Sequence, residues 1–189
     1  MNYLMEMAEE IVGKLQKRDK QALIDILKQY ALYNDAVRAD LQLRLSSSDK
    51  VLEAALRRIR ASFEPCYRRG KHYVNHNDVY EALFGASAVL LVAEDDNAGF
   101  QPRERLLMRF AVLEEMGRIY NNIDDSGQVG MTMDDAFKDI ALLAAGIPVA
   151  ELSVLLDDHL QRGKELYNDW PERKEELLEA LGPFLGGET

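Results

Sequence analysis

The chain has 189 residues, 47% hydrophobic and 30% charged, with 33 acidic against 23 basic residues and a net charge of −10. That length and balance suit one soluble globular domain with a sizeable core. The acidic excess disfavours broad attraction to nucleic acid or an anionic membrane, and no apolar run approaches the ~18 residues of a membrane span.

The single cysteine, Cys66, excludes an internal disulfide and a multi-cysteine zinc site. The N-terminus, with Glu6, Glu9 and Glu10 among its apolar residues, lacks the basic start and apolar core of a signal peptide, so a cytoplasmic location is expected.

Along the chain, Leu4, Met7, Ala8, Ile11 and Leu15 form a helical stripe that ends in Lys17-Arg18-Asp19-Lys20. Asp19 is placed to cap the next stripe, Leu23, Ile24, Leu27, Tyr30 and Ala31. Asn34-Asp35 then breaks the chain and caps a third helix carrying Val37, Leu41 and Leu45. Ser46-Ser47-Ser48 is a polar connector with Ser48 as a cap. A fourth helix carries Leu52, Ala55, Leu56, Ile59 and Phe63, and Pro65 is expected to stop it within a residue or two.

Glu64 to Asn77 has no clear periodicity and is a candidate boundary between two subdomains. Ala82, Leu83, Ala86, Val89, Leu90 and Ala93 then make a fifth helix, apolar on most sides and so expected to be buried in the middle of the other helices, before an acidic turn from Glu94 to Gly99.

The next stretch, Gln101 to Asp135, organises the rest of the chain. Leu106, Phe110, Leu113, Gly117 and Tyr120 form one stripe, while Arg105, Arg109, Glu115 and Arg118 occupy other directions. Pro102 fits a first helical turn and Asn121-Asn122 weakens the far end, which predicts a helix from about Pro102 to Asn121. Gly127 and Gly130 can take positive φ and reverse the chain, and Thr132 with Asp135 reads as the next helix start. That second arm carries Ala136, Phe137, Ile140, Leu143 and Ala144 and closes at Gly146-Ile147-Pro148.

Leu152, Leu155, Leu156, His159, Leu160, Gly163 and Leu166 mark one eighth helix. Pro171 starts a last one through Leu181, and residues 182–189 read as a flexible tail. No segment alternates with period two. The expectation is a single all-α domain over residues 1–189, with about eight or nine helices stacked as antiparallel hairpins in a bundle or a TPR/HEAT-like α-solenoid.

The run Ala31 to Arg38, the loop Lys71 to Asp78, the turn Ile123 to Gly130 and the segment Leu166-Tyr167-Asn168-Asp169-Trp170 together resemble the helical region found C-terminal to the finger in bacterial SWIM zinc-finger proteins. The likeness covers Lys20 to Trp170. The finger itself needs a Cys-x-Cys pair and a later Cys-x-His, which this chain lacks. What the resemblance implies is a freestanding helical domain of the interaction type, with no catalytic residue to carry over.

Four constellations bear on chemistry. In the central turn, Asn122, Asp124 and Ser126 occupy the first, third and fifth places of a calcium loop, but Met133 stands where a bidentate glutamate is required. The favoured alternative is that the aspartates and Ser126 bond backbone N–H groups in a tight interhelix turn. Cys66, His72, His76 and Asp78 contain a His-x-x-x-His spacing, yet they precede the expected helix and make an unusual zinc set. Arg57, Arg58, Arg60, Arg68, Arg69 and Lys71, with only Glu64 charged oppositely among them, form a local basic patch. It can contact a phosphate or an acidic partner through arginine's planar donor fork, or pair with the chain's own carboxylates, for instance Glu94 to Asp96. His159 lies on an apolar stripe beside Asp157 and Asp158, and no Gly-x-Ser-x-Gly, phosphate loop or His-Glu-x-x-His accompanies it.

The expected function is a non-catalytic protein-interaction or scaffold module without a cofactor, with the basic patch as first contact surface. The alternatives are a calcium- or zinc-binding helical protein and an accessory nucleic-acid-associated protein using the same patch.

Overall fold

In a computed structural model, residues 10–34, 37, 38, 41, 44, 48–67, 74–95, 98–120, 123 and 127–186 are described. The chain divides into two compact units, Met1–Leu45 and Ser46–Thr189.

In the first unit, residues 10–15 are helical and α1 spans Lys20–Tyr33. Its start is set by Asp19, whose Oδ1 accepts the Ala22 N–H at 2.8 Å, satisfying a donor the helix itself leaves orphaned. Asn34 ends α1, and its Oδ1 accepts the Val37 N–H at 3.2 Å. Both caps stand where the sequence places them. No residue of α1 is buried.

The second unit carries α2 (Ser48–Tyr67), α3 (His76–Glu94), α4 (Pro102–Tyr120), α5 (Gln128–Ala144), α6 (Val149–Arg162), α7 (Lys164–Asp169) and α8 (Pro171–Leu181), then a single 3₁₀ turn, Gly182–Phe184. The all-α class is therefore the observed one. Among the described residues the only strand-like pairing is an isolated parallel bridge between Val74 and Ile123. No helix among them is long and apolar enough to cross a membrane.

The centre of this unit is α4, which packs against α2, α3, α5, α6 and α7. One helix touching five others is bundle packing, since in a solenoid each repeat meets only its neighbours. Helices α2 and α3, on either side of residues 68–73, pack against each other.

Two expectations about helix placement are reversed. The apolar helix α3 is not the innermost: it buries Val79, Ala82, Leu83, Ala86, Val89, Val92 and Ala93 but leaves Tyr80, Phe84 and Leu91 in solvent. Helix α4 does not keep a single stripe, because every residue from 108 to 116 is buried, Arg109, Glu114 and Glu115 included. The reason is that the partners of these charges come from other helices, as described below.

Pro65 sits inside α2, which ends at Tyr67, within the expected two residues, and Cys66 beside it is buried. Other boundaries move. Helix α3 starts at His76, because Asn75 caps it by accepting the Asp78 N–H at 3.0 Å. Gly127 takes the expected left-handed φ of 89° and starts α5 at Gln128, ahead of the Thr132 signal. Gly130 is helical instead, and a Cβ there would stand 3.3 Å from Arg173 Nη2. The single eighth helix is broken at Gly163 into α6 and α7. A Cβ at that glycine would meet the Tyr167 ring at 3.1 Å and the His159 carbonyl at 3.2 Å.

At the end of α4, Tyr120 stacks on Trp170 with centroids 4.1 Å apart, and the Arg173 guanidinium lies 4.3 Å over the Trp170 ring. Arg173 also binds Asp134 and Glu176. This column ties α8 to α4 and α5.

Candidate functional site

The chemistry of the second unit gathers around the three buried charges of α4. A buried charge is tolerated only when partners replace its water. Each of the three has them.

Glu114 accepts from His159 Nδ1 at 3.1 Å and from Arg162 Nε at 2.8 Å. His159 Nε2 in turn lies 2.6 Å from the Tyr167 hydroxyl. The network is satisfied when Nδ1 carries the proton and Nε2 accepts from Tyr167. The imidazole also stacks flat on Phe110, centroids 4.1 Å apart and planes within 4°. Burial holds the His159 pKa below its ordinary value although Glu114 pulls the other way. Burial opposes ionisation of Glu114, but the hydrogen bonds from His159 and Arg162 outweigh it and hold the carboxyl below its usual range. Burial and the Glu114 carboxylate push the Tyr167 phenol up. His159 is wholly enclosed, so this is a satisfied core histidine with no access for a substrate.

Glu115 faces the opposite neighbour. Its carboxylate accepts from the Tyr67 hydroxyl at 2.6 Å and from Arg118 Nη1 at 2.6 Å. Here burial, then the carboxylate, raise the Tyr67 phenol. Arg109 binds both Glu94 of α3 and, at 3.0 Å, Asp139 of α5, while its buried Nε makes no hydrogen bond.

Two surface depressions flank this helix. Between α2 and α4 lies a cleft of about 420 Å³ lined by Glu53, Arg57, Arg60, Glu64, Glu115 and Arg118 among others. Part of the basic patch is here. Its charges are matched by as many carboxylates, and Arg57 is held by Glu53 at 2.7 Å, one helical turn away. Arg58 is half-buried. Arg68, Arg69 and Lys71 lie outside the described residues.

Between α3 and α5, with α4 as the floor, are two hollows of about 160 and 280 Å³. Leu90, Arg109 and Asp139 line both, so they are successive parts of one groove. Its walls mix apolar and polar side chains: Leu83 and Leu90 with Ser87 and Glu94 on one side, Ala136, Leu142 and Leu143 with Asp135 and Asp139 on the other, and Val112 with Arg105 and Arg109 beneath. No run of residues marks this groove in the sequence, because it is assembled from three helices.

The candidate metal sets fare differently. Asn122, Asp124 and Ser126 lie outside the described residues, as does His72. His76 is exposed on the first turn of α3, a correction to its expected place in a loop. Asp78 accepts from Asn75 Nδ2 at 2.9 Å, and the Cys66 thiol donates to the Asp78 carbonyl at 3.6 Å. Burial pushes that thiol up to about 11, which makes it a poor nucleophile near neutral pH. Among the described residues no three His, Cys, Asp or Glu side chains converge on a metal position.

Comparison with protein-family models, with curated proteins and with solved structures finds no match to this chain.

Proposed function

We propose that the chain is a non-catalytic protein-interaction module that receives a helix of a partner protein along α3 and α5. One observation carries this reading. Tyr80, Phe84 and Leu91 recur on one face of α3 and are 55%, 68% and 67% exposed, and Leu142 on α5 is 76% exposed. Single exposed apolar residues are ordinary, whereas a run of them beside a groove is the pattern of a docking surface. Tyr80 and Phe84 already stack on each other, centroids 6.5 Å apart, which presents a continuous aromatic face. The α2–α4 cleft supports the reading less well, because its arginines meet an equal number of carboxylates. The resemblance to the helical region of SWIM proteins implies a role of the same type.

A photo-crosslinking residue at Phe84, with one at the exposed Lys174 of α8 as control, tests this in cells of the source organism. The expected result is one protein, identified by mass spectrometry, captured at position 84, absent at 174 and lost when Leu91→Glu and Leu142→Glu are combined in a folded variant. Equal capture at both positions, or none, overturns it.

A further inference from the structure

We infer that the outer face of α3 pairs with the same face of a second copy of this chain, the two α3 helices running antiparallel about a two-fold axis; this names the partner of the interaction reading above and rests on it. Tyr80, Phe84, Ser87 and Leu91 follow one another at steps of four, three and four, and all are exposed. On the helix they stand opposite the buried Ala82, Ala86, Val89 and Ala93. A helix that is apolar on opposite faces is built to lie between two layers. Among the described residues only the inner face of α3 is covered.

A second copy is selected by what each residue would meet. With the axis between positions 85 and 86, Tyr80 faces the partner's Leu91, and Phe84 faces the partner's Ser87, large against small. The two-fold axis repeats both contacts. Glu94 and His76 lie on the same side of the stripe, so the antiparallel arrangement sets Glu94 beside the partner's His76. Glu81, on the other side, meets the partner's Ala88. A parallel pair would instead set Glu81 on Glu81 and Glu94 on Glu94, like charge on like.

Tyr80, Phe84 and Leu91 each leave on the order of 100 Å² uncovered, about 600 Å² over the six side chains of a pair. Ser87, Ala88 and the flanking side chains bring the total towards about 1,000 Å², the size of a weak, reversible dimer. Each copy carries a net charge of −10, so repulsion opposes the pairing at long range. Salt screens that repulsion and leaves apolar contact in place, and the dimer should therefore tighten as salt rises.

Sedimentation equilibrium of the full chain, from about 1 μM to 1 mM, is expected to show a reversible monomer–dimer equilibrium with a micromolar Kd. Phe84→Glu should weaken it by roughly tenfold or more, and Ser87→Glu, at an exposed polar position that folding does not need, should do the same. Val154→Glu, at an equally exposed apolar position on α6, should leave it unchanged. A photo-crosslinking residue at Tyr80 of the purified chain should map near Leu91 of the second copy, and one at Phe84 near Ser87.

A monomer at every concentration overturns the proposal. So does a dimer that dissociates as salt rises, one that only Val154→Glu disrupts, or crosslinks that map away from α3. If the chain is monomeric while Phe84 captures a different protein in cells, the interaction reading stands and the second copy falls. If nothing is captured either, both fall.

Discussion

Gly117 of α4 lies so close to Leu166 of α7 that a Cβ built on the glycine would stand 2.5 Å from the leucine Cβ. Replacing a mid-helix glycine by alanine normally adds about 1 kcal/mol through helix propensity. Here overpacking, typically about 1–3 kcal/mol, acts against it. Gly117→Ala is therefore expected to lower the urea midpoint. The double variant with Leu166→Gly, which removes that Cβ, should show a favourable coupling of about 1 kcal/mol in a double-mutant cycle. Gly182→Ala, where the space is open, should not destabilise.

Stability should fall as pH drops from about 7 to 5.5, through His159. Its native pKa is depressed by burial, so below its ordinary 6.5 the unfolded chain takes up a proton that the native chain does not. Wherever the unfolded state binds more protons, stability rises with pH and is lost on acidification. Glu114, also depressed, contributes above its ordinary 4.5 and loses that contribution as pH falls through its lower native value. In chemical denaturation across this range, His159→Gln should flatten the pH 7 to 5.5 segment relative to the natural chain and leave the acid limb in place.

Tyr67→Phe removes a hydrogen bond to a carboxylate that is almost wholly buried. The expected cost is about 1.5–3 kcal/mol by urea denaturation, large for a residue as exposed as Tyr67. Arg57→Ala, which breaks an exposed pair one turn apart on α2, should cost less than about 0.5 kcal/mol.

Cys66 should react slowly with a thiol reagent at pH 8, because its thiol is buried and ionises only near 11. In urea its reaction rate should follow the unfolding transition. Fast labelling of the folded chain at all denaturant concentrations would contradict the close fit of α2 against α3.

Local signals were well legible in the sequence. Asp19 and Asn34 cap where their side chains predict, and Pro102, Pro171 and Gly127 start helices or turns as their backbone preferences require. What periodicity hides is where a charge finds its partner. Arg109 and Glu115 look solvent-facing on a helical projection, yet Glu115 meets Tyr67 from 48 positions earlier. Glu114 meets His159 45 positions later. The apolar content of α3 suggests a place at the centre of the bundle, whereas three of its large side chains face outward. Helical spacing records which residues share a side of one helix; it does not record which sides the other helices cover. The α3–α5 groove was illegible for the same reason.

The buried charges of α4 also set a register. Arg109 answers to α3 and α5, Glu114 to α6 and through His159 to Tyr167 of α7, and Glu115 to α2. Sliding any one of these helices by a turn, ~5.4 Å, would strand a carboxylate or a guanidinium in the interior. Leucines along the same surfaces would accept such a shift with far smaller loss. The bundle is thereby keyed like a lock with teeth cut on one shaft, and each tooth admits a neighbour in a single alignment.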